Sequence, residues 1–227
     1  MQTRSLVISL AALAAACGAL VVVWRPLHHE SAKPLVGSGH AIRSSRTVGS
    51  FSGIKLAGVA DVRVVLGKRT AVAVRGDDNI VKIVDTKVTG TTLLITEHNK
   101  SFTTEVPLTV TVATPALDTA TLAGAGTMQI SRIRSSTFTA TLAGTGMLAL
   151  SGSTQHLKLT VAGTGAADAA ALSAQRVNVI LAGTGTAHVA ASRVLDASVE
   201  GTGTIFYSGG ARVVRSHVTG TGSIVKS

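Results

Sequence analysis

The chain has 227 residues, which at about 150 residues per domain allows one domain or two. Hydrophobic residues make up 45% of it and charged residues 14%, which excludes a disordered polyelectrolyte. The formal net charge of +10 favours an anionic neighbour, such as membrane lipid, acidic polysaccharide or nucleic acid. The sequence has no basic run with interleaved aromatic residues, so nucleic acid is not predicted as a partner.

Residues 1–25 predict a signal peptide or a membrane anchor. Arg4 precedes an almost wholly apolar stretch from Leu6 to Trp24, close to the ~20 residues that span a bilayer as a helix. Three alternatives remain open: an uncleaved membrane helix, a signal peptide cleaved near Ala14–Ala16, and a lipoprotein acylated at Cys17. Each of them predicts an exported protein that is periplasmic, membrane-anchored or at the cell surface.

Residues 26–45 predict a linker, because proline, glycine and serine interrupt any periodicity there. His28 and His29 lie in this segment, and we interpret them as solvated side chains rather than metal ligands. Cys17 is the only cysteine, so the part after the linker contains neither a disulfide nor a cysteine-based metal site.

Residues 46–118 predict short, irregular strands punctuated by Gly58, Gly76 and Gly90. We assign them to the irregular first coils of the repeat region that follows, and a small separate β-domain is the alternative. The strand candidates are Val62–Val65, Ala71–Val74, Lys82–Val84 and Thr92–Thr96.

From residue 119 to 227, a Gly-x-Gly element recurs six times, with first glycines 20, 19, 20, 18 and 19 residues apart. Apolar and polar residues alternate before each element, which is typical of a strand with one buried face. One such unit cannot bury its own inner face, whereas stacked units can. The glycine pairs are Gly124 and Gly126, Gly144 and Gly146, Gly163 and Gly165, Gly183 and Gly185, Gly201 and Gly203, and Gly220 and Gly222.

The sequence therefore predicts an all-β fold, a single-chain parallel β-helix or β-solenoid over residues 46–227, preceded by an N-terminal hydrophobic helix. Its coils contain about 19 or 20 residues, and the repeated glycines occupy bends or close backbone approaches. The residue between the glycines is threonine in five copies. Stacked, these threonines form either a flat surface for a glycan or for ice, or a corner ladder that satisfies backbone groups. They are Thr145, Thr164, Thr184, Thr202 and Thr221.

Four segments of the first part resemble a known family. They are Phe51–Ile54, Asp61–Val64, Gly76–Ile80 and Thr92–Ile95, and in that order they are similar to the opening of the putative auto-transporter adhesin head domain, or head GIN domain. The later coils are similar to its second half, so the resemblance covers roughly residues 46–225. It implies an exported bacterial β-helical domain, and it transfers no catalytic residue.

The sequence departs from that family just after each Gly-x-Gly, where similar domains often place Asp or Asn. A role that depends on those polar side chains is not transferred. The residues at these positions are Thr127, Met147, Ala166, Thr186, Thr204 and Ser223.

Carboxylates are the residues that would indicate catalysis, because β-helical lyases and hydrolases need them clustered. After residue 118 the chain has only Asp168, Asp196 and Glu200. We predict that Asp168 and His188 stack one coil apart on an outer face as solvated residues. Asp77–Asn79 is predicted to be a turn rather than a calcium site. No catalytic residue, metal or cofactor is predicted.

The sequence thus predicts a non-catalytic exported cell-envelope protein, either an adhesin-like binding protein or a structural scaffold. The alternative is an envelope enzyme that acts on polysaccharide, for which Asp61, Asp77 or Asp78 would have to converge with Lys or Arg in one groove. The predicted partner is a glycan or another envelope component, with membrane contact through the N-terminal segment if it is uncleaved. The open coil that ends at Ser227 also predicts a homo-oligomer, because an open sheet edge invites pairing.

Overall fold

The computed structural model describes residues 34–98 and 101–227, which fall within one compact unit. The predicted signal or anchor over residues 1–25 lies outside the described residues, as do His28 and His29. Among the described residues, no helix has the length and apolar character needed to cross a membrane.

Within those ranges the chain forms seventeen strands and one helical turn. The first part contains β1 (Leu35–Val36), β2 (Ala41–Arg46), β3 (Gly53–Gly58), β4 (Asp61–Leu66), β5 (Ala71–Asp77), α1 (Asp78–Val81), β6 (Val84–Thr89), β7 (Thr92–Glu97), β8 (Phe102–Thr103) and β9 (Thr109–Thr114). The repeat region contains β10 (Thr119–Gly124), β11 (Thr127–Gly144), β12 (Met147–Gly163), β13 (Ala166–Gly183), β14 (Thr186–Gly201), β15 (Thr204–Ser208), β16 (Arg212–Gly220) and β17 (Ser223–Lys226).

The long strands β11 to β14 wrap around the molecule instead of running straight. The first part of β11 pairs in parallel with β4, while its last part pairs with β10 in a different ladder. Both parts pair in parallel with β12, with a register shift between Ile130 and Ile133 where the strand bends. This arrangement confirms the predicted parallel β-solenoid.

Each coil of the repeat region has three segments. The post-glycine segment follows the Gly-x-Gly element, and the pre-glycine segment precedes the next one. The middle segment between them begins at the register shift and ends near two successive outward-facing residues, such as Ser136 and Thr137. The middle segments are residues 131–137, 151–156, 170–176, 190–194 and 208–212.

The interior is filled by apolar columns that run along the solenoid. One column consists of the side chains two residues before the first glycine of each pair. In the first five pairs these side chains are completely buried. Two residues after the second glycine, a second buried column runs parallel to the first. The members of the first column are Leu122, Leu142, Val161, Leu181 and Val199, and those of the second are Met128, Leu148, Ala167, Ala187 and Ile205.

The first part of the chain does not stack in sequence order. The β3–β4 coil pairs with β10 and β11 on one side and with the later strands β7 and β9 on the other. Beyond these, β6 pairs antiparallel with β7, and β5 pairs antiparallel with β9 and with β2. In sequence order, the β3–β4 coil, which is second in the stack, therefore comes first. The strands β5 to β9 at the end of the solenoid follow it, and the third and later coils begin at β10.

The predicted linker and one predicted strand differ from the structure. The predicted linker over residues 26–45 includes β1 and most of β2, because both strands find pairing partners in β8 and β5. Of the strand predicted over Lys82–Val84, only Val84 lies in β6, because α1 and a turn precede that residue. The other three predicted strands lie within β4, β5 and β7.

Candidate binding surfaces

The Gly-x-Gly elements form a continuous corner ladder. The backbone N–H groups of Thr145 and Gly146 both donate to the carbonyl oxygen of Gly124, at 3.1 and 3.2 Å, and later coils repeat this pattern. The first glycine of each pair has φ between +110° and +146°, a region that favours glycine. A Cβ atom on Gly163 would also overlap the carbonyl of Gly144, so the corner requires glycine for two reasons.

The five repeated threonines project from this ladder into solvent. Each of them is exposed, and the corner backbone N–H groups pair with glycine carbonyls of the preceding coil. Their positions are one strand spacing apart, about 4.8 Å. The corner therefore presents a single row of hydroxyl groups along the repeat region.

Glu97 occupies the N-terminal end of the corner ladder, and the sequence analysis missed it. Thr96 pairs with Ala57, which places Glu97 against Gly58. The Glu97 carboxylate accepts a hydrogen bond from the N–H of Val59 at 3.4 Å, in place of a glycine carbonyl. Burial raises the pKa of Glu97, although backbone hydrogen bonds act in the opposite direction.

Two adjoining grooves flank Phe102 near this end. Glu97 lines a groove of about 280 Å³ together with Val59 and Phe102. Asp61 lines a groove of about 510 Å³ that shares Val59 and Phe102 with the first. Phe102 thus lines both grooves, with one carboxylate in each. No sequence motif indicated this pair, because Asp61 and Glu97 lie 36 residues apart.

The Asp77–Asn79 motif fastens the N-terminal arm. Asp77 is completely buried, and its carboxylate accepts N–H hydrogen bonds from Gly39, Glu105 and Val106 at 2.7 to 3.1 Å. Ser38 contributes to the same junction, because its hydroxyl donates to Asp78 and its N–H donates to Asn79. The Ser38 hydrogen bond also lowers the pKa of Asp78.

These contacts occupy the oxygen atoms that a cation would need. Asp77 ends β5 and Asp78 begins α1, so the segment is a strand-to-helix junction, one helical turn rather than an isolated loop turn. Over residues 34–98 and 101–227, no three His, Cys, Asp or Glu side chains come together in a way that could hold a metal ion.

Asp168 and His188 lie directly opposite each other in the β13–β14 pairing. The carboxylate of Asp168 accepts the N–H of Ala170 at 3.0 Å. The His188 ring stacks on Phe206, with centroids 4.7 Å apart and planes inclined by 14°. Each residue therefore has a structural partner other than the opposite member of the pair.

The sequence pattern of a protein family described as "putative auto-transporter adhesin, head GIN domain" matches residues 50–211. No protein among the curated ones matches the chain.

Three solved structures share the architecture. A putative adhesin from Bacteroides fragilis is 21% identical, with a TM-score of 0.70 over 85% of this chain and 100% of that chain. A putative lipid-binding protein from Parabacteroides distasonis is 21% identical, with a TM-score of 0.58 over 86% and 100%. A putative adhesin from Parabacteroides merdae is 16% identical, with a TM-score of 0.53 over 85% and 98%. At these identities the likeness shows the fold alone.

Proposed function

Because the chain belongs to the family described as putative auto-transporter adhesin, head GIN domain, we propose that it is a non-catalytic, adhesin-like binding protein or scaffold of the cell envelope. The apolar stretch from Leu6 to Trp24 supports export, and a membrane anchor or a signal peptide would each fit it. The proposed partner is a glycan or another repeating envelope component.

The row of exposed corner threonines is the observation that carries this proposal. Equivalent hydroxyl groups recur once per coil on a corner whose backbone N–H groups donate to glycine carbonyls of the preceding coil. A polymer with its own repeat can meet several of them at once, and linked weak contacts add up to useful affinity. The row is therefore the surface we propose for glycan contact.

The alternative enzyme function would need Asp61, Asp77 or Asp78 in a common groove with a basic residue. Asp77 is completely buried, and three backbone N–H groups occupy its carboxylate. Asp78 is held by Ser38. These contacts favour a structural role for both carboxylates. Asp61 lines a groove whose lining contains no Lys or Arg, so the binding function remains the proposal.

The test is binding of the full-length chain, kept in a non-ionic amphipol, to a panel of immobilised neutral and acidic envelope polysaccharides. We expect reversible binding to one sugar class, with the length of the bound polymer unchanged by size-exclusion chromatography. A shortened polymer would support the enzyme alternative instead. Binding to no member of the panel would contradict the proposal.

Valine substitutions resolve the surface, because valine matches threonine in shape but lacks the hydroxyl. The double variant Thr164→Val and Thr184→Val should weaken glycan binding. The matched control is Thr121→Val with Thr141→Val on the pre-glycine segments, which should leave binding unchanged. If both double variants changed glycan binding equally, the corner threonines would not be the glycan-binding surface.

A further inference from the structure

The fold gathers basic residues that lie apart in the sequence. The five middle segments contain six basic residues and no Asp or Glu. In the sequence these residues appear singly or in pairs, about one coil length apart, so no basic run is visible. We name this set the basic band, and its members are Arg132, Arg134, His156, Arg176, Arg193 and Arg212.

The strand register places these residues in successive coils. Arg134 is paired with Ser153 of the next coil, and His156 is paired with Arg176. Val194 lies between Arg176 and Arg212 in the same row. At about 4.8 Å per coil, the four steps from β11 to β16 extend over roughly 19 Å. The basic band thus puts basic residues in five successive coils: His156, Arg176 and Arg212 share one row along the solenoid axis, Arg193 lies beside that row, and Arg134 lies three residues from it.

No arginine of the basic band forms an ion pair in the described part of the chain. All five arginines are exposed. The ion pairs found within residues 34–98 and 101–227 involve Lys82, His98 and Arg215, all outside the band. Like charges that are aligned and unpaired repel one another, and a bound anion relieves that repulsion.

Two shallow grooves meet at Arg134. One of about 330 Å³ is lined by Arg132, Arg134 and Gly67, which Lys68 and Arg69 follow in the chain. The other, of about 420 Å³, is lined by Arg134 and by polar side chains. Arg132 is the one non-glycine residue with positive φ in the described part of the chain, at 63°. The polar lining of the second groove consists of Ser135, Ser136, Ser153, Thr154, Gln155 and Gln175.

We propose that the basic band binds a linear anionic polysaccharide, one whose sugars carry carboxylate, sulfate or phosphate groups. Arginine pairs with such groups through two parallel hydrogen bonds. The neighbouring serine and glutamine side chains match the hydroxyl groups of the sugar rings. This arrangement suits an extended chain, which meets an arginine in four of the five coils and His156 in the other.

Two other anionic partners fit the surface less well. Interfacial membrane binding requires an apolar face, and none of the large exposed hydrophobic residues lies in the middle segments. Single-stranded nucleic acid is bound by stacking on aromatic rings, and the middle segments contain no Phe, Tyr or Trp. Both remain as arms of the test.

The experiment measures binding of the full-length chain in non-ionic amphipol to dextran sulfate, with unsulfated dextran as the neutral polymer of the same backbone. We expect binding to dextran sulfate alone. The triple variant Arg134→Gln, Arg176→Gln and Arg193→Gln should lower the affinity at least about tenfold. It should also reduce the slope of log affinity against log salt concentration by the amount expected for about three lost ionic contacts.

The matched control removes the same charge outside the band, by Arg43→Gln, Arg63→Gln and Arg75→Gln. These three arginines are exposed, and the control should change the affinity less than about threefold. Equal losses in both triple variants would overturn the inference, since net charge alone would explain them. Circular dichroism of both variants checks that the fold is intact.

The remaining arms use phosphatidylglycerol vesicles and single-stranded DNA. Tighter binding to either, lost in the band variant, would overturn the polysaccharide as the partner. This inference goes beyond the proposed function and can fail separately from it. A chain that binds a neutral glycan through its corner threonines, and is unaffected by the band variant, would retain the proposed function and refute the inference.

Discussion

The two ends of the solenoid are built in different ways. At the N-terminal end, antiparallel strands, the turn α1 and the buried carboxylate of Asp77 cover the outermost coil. At the C-terminal end, β16 and β17 continue the parallel pattern and leave Val213, Val218 and Val225 between 37% and 41% exposed. A repeat unit offers the same surface above and below, so only non-repeating sequence can close an end.

The closed end is the place where one substitution should cost most. Asp77→Asn preserves the shape of the side chain but leaves one oxygen, with reduced charge, to face three N–H donors. We expect the free energy of unfolding to fall by about 3 kcal/mol, because buried donors lose a charged acceptor. Urea unfolding followed by circular dichroism measures it.

The control for this prediction is Asp118→Asn at an exposed position, which should stay within about 0.5 kcal/mol of the wild type. Equal costs for the two substitutions would mean that the Asp77 junction does not hold the end closed.

The open end gives a smaller effect, and neighbouring coils provide its control. Val199 and Val218 pair directly in the same column, but Val199 is completely buried while Val218 is 39% exposed. Val199→Ala should destabilise the chain by about 2 kcal/mol through lost burial and a cavity. Val218→Ala should cost less than about 1 kcal/mol. Urea unfolding of both variants measures the difference.

The same pair tests the predicted homo-oligomer. If a second copy covers the terminal coil in solution, Val218 is buried there, and its substitution costs as much as that of Val199. The difference between the two variants should then depend on protein concentration. A difference that is large at every concentration would speak against self-association through this end.

Periodicity made the centre of the fold predictable. The columns through Leu142 and Leu148 follow from the repeat length and the alternation of apolar residues, because stacked coils must bury one face. The corner glycines follow from the same repeat, and the structure gives the first glycine of each pair a positive φ. These features depend on local sequence and on one constant step between coils.

The end structures and the charged surfaces were not predictable in this way. The position of β7 and β9 beyond the β3–β4 coil depends on pairing between segments that share no repeat. Glu97 carries no sequence signal, since its role arises only when Gly58 lies against it. The basic band stayed hidden because His156 and Arg176, which are 20 residues apart in the sequence, become neighbours only through the register between β12 and β13.

Glu97 offers the finest test of how the closed end meets the corner ladder. Burial raises the pKa of its carboxyl group above the ordinary glutamate value, so the folded state holds the proton more tightly than the unfolded state. This stabilisation is complete below the ordinary pKa and is lost as pH rises through the raised pKa. Glu97→Gln keeps an oxygen for the N–H of Val59 but does not titrate.

Relative to the wild type, this variant should therefore gain stability as the pH rises from below the ordinary glutamate pKa through the raised pKa, by less than about 1 kcal/mol because the carboxylate retains solvent contact. Urea unfolding across that range measures the gain, with the exposed Glu200→Gln as the control that should show none. A relative loss of stability with rising pH would show that the hydrogen bonds to the ionised carboxylate outweigh its burial. Glu97 would then stabilise the end of the corner ladder in its charged form.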